Sequence, residues 1–336
     1  MRSSVLLIYT GGTIGMKIAP DGILYPFDFS QILSEVPELQ KFACKIDYKF
    51  LFPLIDSSDV EPSMWGTLAG MIEENYDDYD GFVVLHGTDT MAYSASALSY
   101  MLENLGKPVI FTGSQLPVGM PRTDGKENLV SAVEIASAKR SDGSPRVNEV
   151  AIYFGSKLLR GNCSTKVDSE SFDAFASPNL EPLAVAGIDI RYNDRVLRPR
   201  PSAPLRVHKK LDTRVSILKI HPGITPKVVE NVLLGEDTRA VIIETYGSGN
   251  APSKPWFLDM VKKADAMGKV LVNVTQCLAG RVNMGIYANG RSMAQLGVIS
   301  GGDSTTEAML ARLFWLLGEY GSDISAIKSA LLTQLS

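Results

Sequence analysis

Three short stretches of this chain carry hydroxyls, carboxylates and glycines at spacings that suit acyl chemistry. The first, Thr10-Gly11-Gly12-Thr13-Ile14-Gly15, follows the apolar run Val5 to Tyr9. Its glycines let main-chain N–H groups approach a reacting oxygen beside the hydroxyl of Thr13. The stretch is not a dinucleotide fingerprint, because Thr10 replaces the first glycine and no acid closes a second strand about 20 residues on. It also lacks the Gly-Lys-Ser/Thr ending of a phosphate loop. Thr13 is thus either a nucleophile or the cap of a helix, and the local pattern leaves both open.

The second stretch, His86-Gly87-Thr88-Asp89-Thr90-Met91, ends another apolar run. Its polar residues cap the following helix or face Thr13 across a sheet edge. The third, Asp56-Ser57-Ser58-Asp59, precedes a helix starting near Glu61, where clustered hydroxyls and N–H groups cap the helix or hold a carboxylate. Lys166 is a solvated charge unless it pairs with Asp89, in which case it favours a nearby oxygen nucleophile and orients Thr88. His86 reads as a buried structural residue, since no Gly-x-Ser-x-Gly elbow supplies a serine for a triad. No His-Glu-x-x-His motif is present and the chain has 3 histidines, so metal catalysis is not expected and no cofactor is called for.

The elements that must hold these groups follow from hydrophobic patterning. Short, β-rich apolar runs at 5–9, 81–85, 108–112, 150–154, 215–220, 240–245 and 270–274 read as strands buried on both faces. Helical patterns lie between them at 61–76, 90–104, 125–137, 227–234, 255–267 and 305–317. The alternation defines an α/β chain with doubly wound, mainly parallel sheets. In such sheets ligands bind beyond the carboxyl ends of the strands, where all three stretches fall. Strand-helix alternation stops where Pro199, Pro201 and Pro204 sit among basic residues. This marks residues 192–212 as a linker between an N-terminal domain, 1–191, and a C-terminal domain, 213–336.

Composition narrows the setting. The formal net charge of −4 gives no basic surface for nucleic acid or an anionic membrane. No apolar run approaches the ~20 residues that span a bilayer, and the N-terminus lacks a secretory signal pattern. Cys44, Cys163 and Cys277 are 3 in number, without a Cys-x-x-Cys pair, which fits a reducing, cytoplasmic setting.

On these residues the sequence resembles the L-asparaginase family, in its cytosolic type I branch. The resemblance is carried by Thr10 to Gly15, His86 to Met91, Gly113-Ser114-Gln115-Leu116-Pro117, Tyr246-Gly247-Ser248-Gly249-Asn250 and Thr275-Gln276-Cys277, from about residue 4 to about 318. It implies a larger Rossmann-like N-terminal domain and a smaller flavodoxin-like C-terminal one. It further implies hydrolysis of L-asparagine, with L-glutamine weaker, through a β-aspartyl ester on Thr13. Tyr25 would then polarise Thr13, and Thr88, Asp89 and Lys166 would form a second catalytic cluster. Gly12, Asp56, Ser57, Ser58, Gly87, Thr88 and Asp89 would bind substrate, the serines on the α-carboxylate and Asp89 on the α-ammonium. A homo-oligomer, a dimer of dimers, is implied as well.

Two departures stand out. The stretch Asn283 to Tyr287 lacks the acid with which secreted relatives complete a neighbouring subunit's amino pocket. In some type I enzymes an asparagine effector site surrounds the cysteine matching Cys277; the corresponding residues here are Thr165, Glu244, Asn250, Thr275 and Cys277. Glu244 stands where those enzymes use arginine, and a carboxylate cannot bind the effector carboxylate in its place. The nearest rival functions are the amidase subunit of a tRNA-dependent amidotransferase and a non-catalytic amino-acid sensor.

Overall fold

A computed structural model describes residues 3–18, 24–26, 32–285 and 288–333. Two compact units, Met1–Lys209 and Lys210–Ser336, divide the chain. The first is built on an eight-stranded sheet whose five parallel members, in spatial order, are Cys44–Ile55, Ser3–Gly11, Gly81–Leu85, Val109–Thr112 and Val150–Phe154. Lys157–Arg160, Ala184–Ala186 and Ile190–Tyr192 extend it antiparallel. Counted along the chain, the parallel strands lie in the order 2-1-3-4-5. The winding therefore reverses between the first strand and Gly81–Leu85, and the crevice at such a reversal is where doubly wound sheets take their ligands.

Period-two alternation sends the strand side chains to two apolar layers. Val5, Leu7, Tyr9, Val83, Leu85 and Ile110 pack with Leu129, Ala132, Val133 and Ile135 of the helix Gly125–Ser137. Leu6, Ile8, Phe82, Val84 and Phe111, fully buried, face the other way. Because both faces are covered, these strands read as continuous apolar runs, and their bounds match the sequence expectation closely. Cys44–Ile55 differs: it is an edge strand whose polar and exposed positions break the run, and it was not expected.

The second unit holds four parallel strands in chain order, Val215–Lys219, Ala240–Thr245, Val270–Thr275 and Ile299–Ser300. Val241, Ile243 and Leu271 pack with the helices Pro226–Leu233 and Pro255–Ala266. Ala240, Ile242 and Val272 pack with Thr306–Tyr320 and Ile324–Leu332. The stretch expected to be a linker is largely integrated into the first unit: Arg206–Val207 pairs antiparallel with Leu102–Glu103, and the Arg198 N–H donates to Glu149 Oε1 at 3.0 Å. Backbone groups that find partners of this kind cost nothing to leave out of water, so the proline-bearing chain follows the first unit to Lys209. No helix among the described residues is long and apolar enough to cross a membrane.

Candidate active site

Of the expected site residues of the first unit, Gly12, Thr13, Asp56, Ser57, Ser58, Gly87, Thr88 and Asp89 lie just beyond the ends of three neighbouring strands. Thr13, half-buried, opens a short 3-10 turn, Thr13–Gly15, directly after the first strand. Thr10 ties that strand to the next, its Oγ1 donating to the Leu85 carbonyl at 3.0 Å. The two loops then touch through bare backbone. Gly12 has φ +88°, and a Cβ there would stand 2.5 Å from Gly87 N. A Cβ on Gly87 would stand 2.5 Å from Ser57 Oγ. Thr90 Oγ1 closes the third side by donating to the Ser57 carbonyl at 2.6 Å. Gly12→Ala therefore combines an unfavourable φ with a collision against main chain that cannot rotate away. We expect it to destabilise the protein by more than about 2 kcal/mol and to depress turnover, measured by urea unfolding and initial rates.

Lys166 meets this cluster from Thr165–Lys166, which pairs antiparallel with Phe175–Ala176. Its Nζ donates to Thr88 Oγ1 at 2.8 Å and to Asp89 Oδ1 at 2.6 Å, uniting groups 78 and 77 residues apart. The lysine side chain is 19% exposed and that of Asp89 62%, so the carboxylate keeps free lone pairs toward solvent. The approach to Lys166 is anchored from below: Ser164 Oγ donates to the Arg160 carbonyl, and Arg160 Nε lies 2.5 Å from Oε2 of the buried Glu149. Among the described residues, neither the Thr13 N–H nor the Thr88 N–H donates to a protein group.

Ser57 is buried, while Ser58 is exposed and turned onto its own neighbour. Asp56 Oδ1 accepts from both Ser58 N and Ser58 Oγ at 2.9 Å. The Ser58 N–H, and after it the hydroxyl, hold the Asp56 carboxyl below the usual carboxylate range. Tyr25 lies in Leu24–Pro26, opposite Lys17 of Met16–Ile18; its side chain lies outside the described residues.

His86 is buried, as expected of a structural residue, with Nδ1 2.7 Å from the Gly87 carbonyl and Nε2 2.9 Å from Ser94 Oγ. Burial pushes its pKa down to about 4. Between about pH 4 and 6.5 the unfolded chain binds a proton at this residue that the native protein refuses, so its contribution to stability is full above 6.5 and lost on acidification. A drop of about 2–3 kcal/mol from pH 7 to pH 4.5 is assigned to His86. Urea unfolding at the two pH values should show this loss shrinking in His86→Asn. Ser94 as the partner of His86, and Trp65 as the donor to Ser94, were not foreseen; the one signal was that a buried tryptophan N–H needs an acceptor.

In the second unit, Glu244, Thr275, Asn250 and Cys277 lie at or just beyond the ends of Ala240–Thr245 and Val270–Thr275. Glu244 Oε1 accepts from Thr306 Oγ1 at 2.6 Å, and Lys219 Nζ lies 3.6 Å from Oε2. Thr275 Oγ1 donates to the Gly247 carbonyl at 2.6 Å and accepts the Cys277 N–H at 3.0 Å, while the Asn250 N–H donates to the Tyr246 carbonyl. Thr165 belongs to the first unit. Among the described residues, no cluster of three or more His, Cys, Asp or Glu side chains is arranged to hold a metal ion.

A hydroxyl, two amides that no described protein group receives and an ammonium-carboxylate pair at one winding reversal can support acyl transfer from an amide. The chain belongs to the asparaginase family: residues 4–198 match the family model for the asparaginase N-terminal domain, and 214–331 that for the glutaminase/asparaginase C-terminal domain. It is 45% identical to L-asparaginase 1 of Escherichia coli K12, over 98% of this chain and 96% of that protein. The crystal structure of L-asparaginase I from Vibrio cholerae superposes with a TM-score of 0.90 at 42% identity, covering 100% of this chain and 98% of the other. The thermostable L-asparaginase from Thermococcus kodakarensis gives 0.88 at 32% identity, covering 98% and 96%.

Proposed function

We propose that this protein hydrolyses L-asparagine to L-aspartate and ammonia, and that the Lys166 bridge between Thr88 Oγ1 and Asp89 Oδ1, set beside the Thr13 turn, is the observation that carries this function. Thr13 Oγ attacks the side-chain amide carbon as its proton passes to a base, for which the family resemblance nominates Tyr25. The carbonyl oxygen becomes an oxyanion, and the Thr13 and Thr88 amides, which donate to no described protein group, supply donors worth about 3–4 kcal/mol each. Collapse expels ammonia, the nitrogen taking up a proton, and leaves a β-aspartyl ester on Thr13. A water positioned at Thr88 then hydrolyses the ester and regenerates the hydroxyl. Asp89 holds the α-ammonium. Ser57 holds the α-carboxylate, with Ser58 exchanging Asp56 for it when substrate binds.

Ammonia release from asparagine and glutamine by the purified chain, without tRNA or a second protein, tests this reading. We expect asparagine to be preferred by about 10- to 200-fold, the range that one methylene allows. Binding of asparagine with no ammonia would sink hydrolysis and leave a sensor; dependence on tRNA would point to an amidotransferase subunit. The same reading makes the protein a cytoplasmic homotetramer, a dimer of dimers, which light scattering on a size-exclusion column decides. Three cysteines without disulfides suit that compartment.

A further inference from the structure

Behind the Thr88 loop, three buried side chains form one hydrogen-bonded file. Trp65 Nε1 donates to Ser94 Oγ at 2.9 Å, Ser94 Oγ lies 2.9 Å from His86 Nε2, and His86 Nδ1 lies 2.7 Å from the Gly87 carbonyl. Trp65 is 5% exposed, Ser94 0% and His86 3%. Donor and acceptor capacities allow one assignment for a neutral imidazole. The Gly87 carbonyl only accepts, so Nδ1 carries the hydrogen and Nε2 is bare. Ser94 must then give its hydroxyl hydrogen to Nε2, while its oxygen accepts from tryptophan, a donor only.

The end of this file is a glycine carbonyl, and a glycine is the residue whose peptide plane is least constrained by its own sterics. The Gly87–Thr88 peptide is trans, so its carbonyl and the Thr88 N–H point in opposite directions within one plane. Holding the carbonyl toward His86 turns the Thr88 N–H away from it, to the side where no described protein group receives it. Lys166 fixes the Thr88 side chain independently, through Oγ1.

We propose that His86 is a positioning residue for the oxyanion site: it grips the Gly87 carbonyl and so sets the direction of the Thr88 N–H, while Ser94 and Trp65 lock the required tautomer. The proposal rests on the reading of that N–H as an oxyanion donor. His86 does not shuttle protons in this scheme, because both ring nitrogens are committed within the protein.

His86→Leu removes the grip, whereas His86→Asn places an amide nitrogen near the position of Nδ1 and keeps the donor. Crystal structures and steady-state kinetics of both variants, with Ser94→Ala as a third, test the idea. We expect the Gly87–Thr88 peptide to rotate in His86→Leu, with kcat lower by about 10- to 100-fold and KM nearly unchanged, a partial loss of one oxyanion donor. His86→Asn should restore the peptide orientation and most of kcat, and Ser94→Ala should fall between. If His86→Leu kept the native peptide orientation, or lost thermal stability with kcat intact, the proposal would be overturned. The peptide orientation decides this even for a protein that released no ammonia, an outcome that would instead refute the function proposed above.

Discussion

Thr13→Ala should lower kcat for asparagine by at least ~10³-fold while leaving aspartate affinity within a few-fold of wild type. The hydroxyl is the group that forms the bond to carbon in the proposed sequence, and no neighbouring side chain on the same turn can replace it: Ile14 and Gly15 follow, Gly12 precedes. The alanine variant keeps the backbone of the turn and the contact between Gly12 and Gly87, so folding and product binding persist. Rapid-quench assays of ammonia together with calorimetric titration of aspartate separate the two effects. Wild-type turnover in this variant would remove Thr13 from the role of nucleophile.

Lys166→Met is expected to cost about 10²- to 10³-fold in kcat, with a smaller change in KM. The substitution keeps the length of the stem and removes two hydrogen bonds from a charged donor, the half-buried one to Thr88 worth about 1.5–3 kcal/mol and the solvent-screened one to Asp89 less. It also leaves Thr88 Oγ1 free to rotate and Asp89 without its counter-charge. Arginine is not a conservative rescue here, since its planar fork cannot occupy the point between Thr88 and Asp89 that a compact ammonium fills. Retention of kcat in Lys166→Met, measured at saturating asparagine, would assign the bridge to structure alone.

The sequence disclosed most where one physical constraint acted alone. Gly81–Leu85, with 5 consecutive buried residues, was legible because covering both faces of a strand demands an unbroken apolar run. Cys44–Ile55 was not: at the sheet edge it pairs on one side, and Lys45, Asp47 and Lys49 interrupt its pattern as such an edge requires. The helix Ile324–Leu332 also escaped notice, although its Asp323 cap bonds the Ala326 N–H. For the site, Thr13 and Thr88 could be singled out because residues just after parallel strands line the ligand crevice. The meeting of Lys166 with Thr88 had no signature in spacing; it arises from an antiparallel excursion of the chain after Arg160. Ser94 was hidden for a further reason: the same helix also carries Ser96 and Ser99 among small and apolar residues, so nothing in the sequence singled out Ser94 as the one that meets a histidine.

Contact between Gly12 and Gly87 gives the site a ruler made of main chain. The closest approach of the two threonine-bearing loops is set by the radii of backbone atoms in contact, not by side-chain rotamers that thermal motion repopulates. No rotamer change can move those atoms aside, so the loops cannot approach more closely than the glycines already allow. A side chain added at Gly12 would therefore widen the gap between the loops, whereas substitutions that leave both glycines in place keep that limit unchanged.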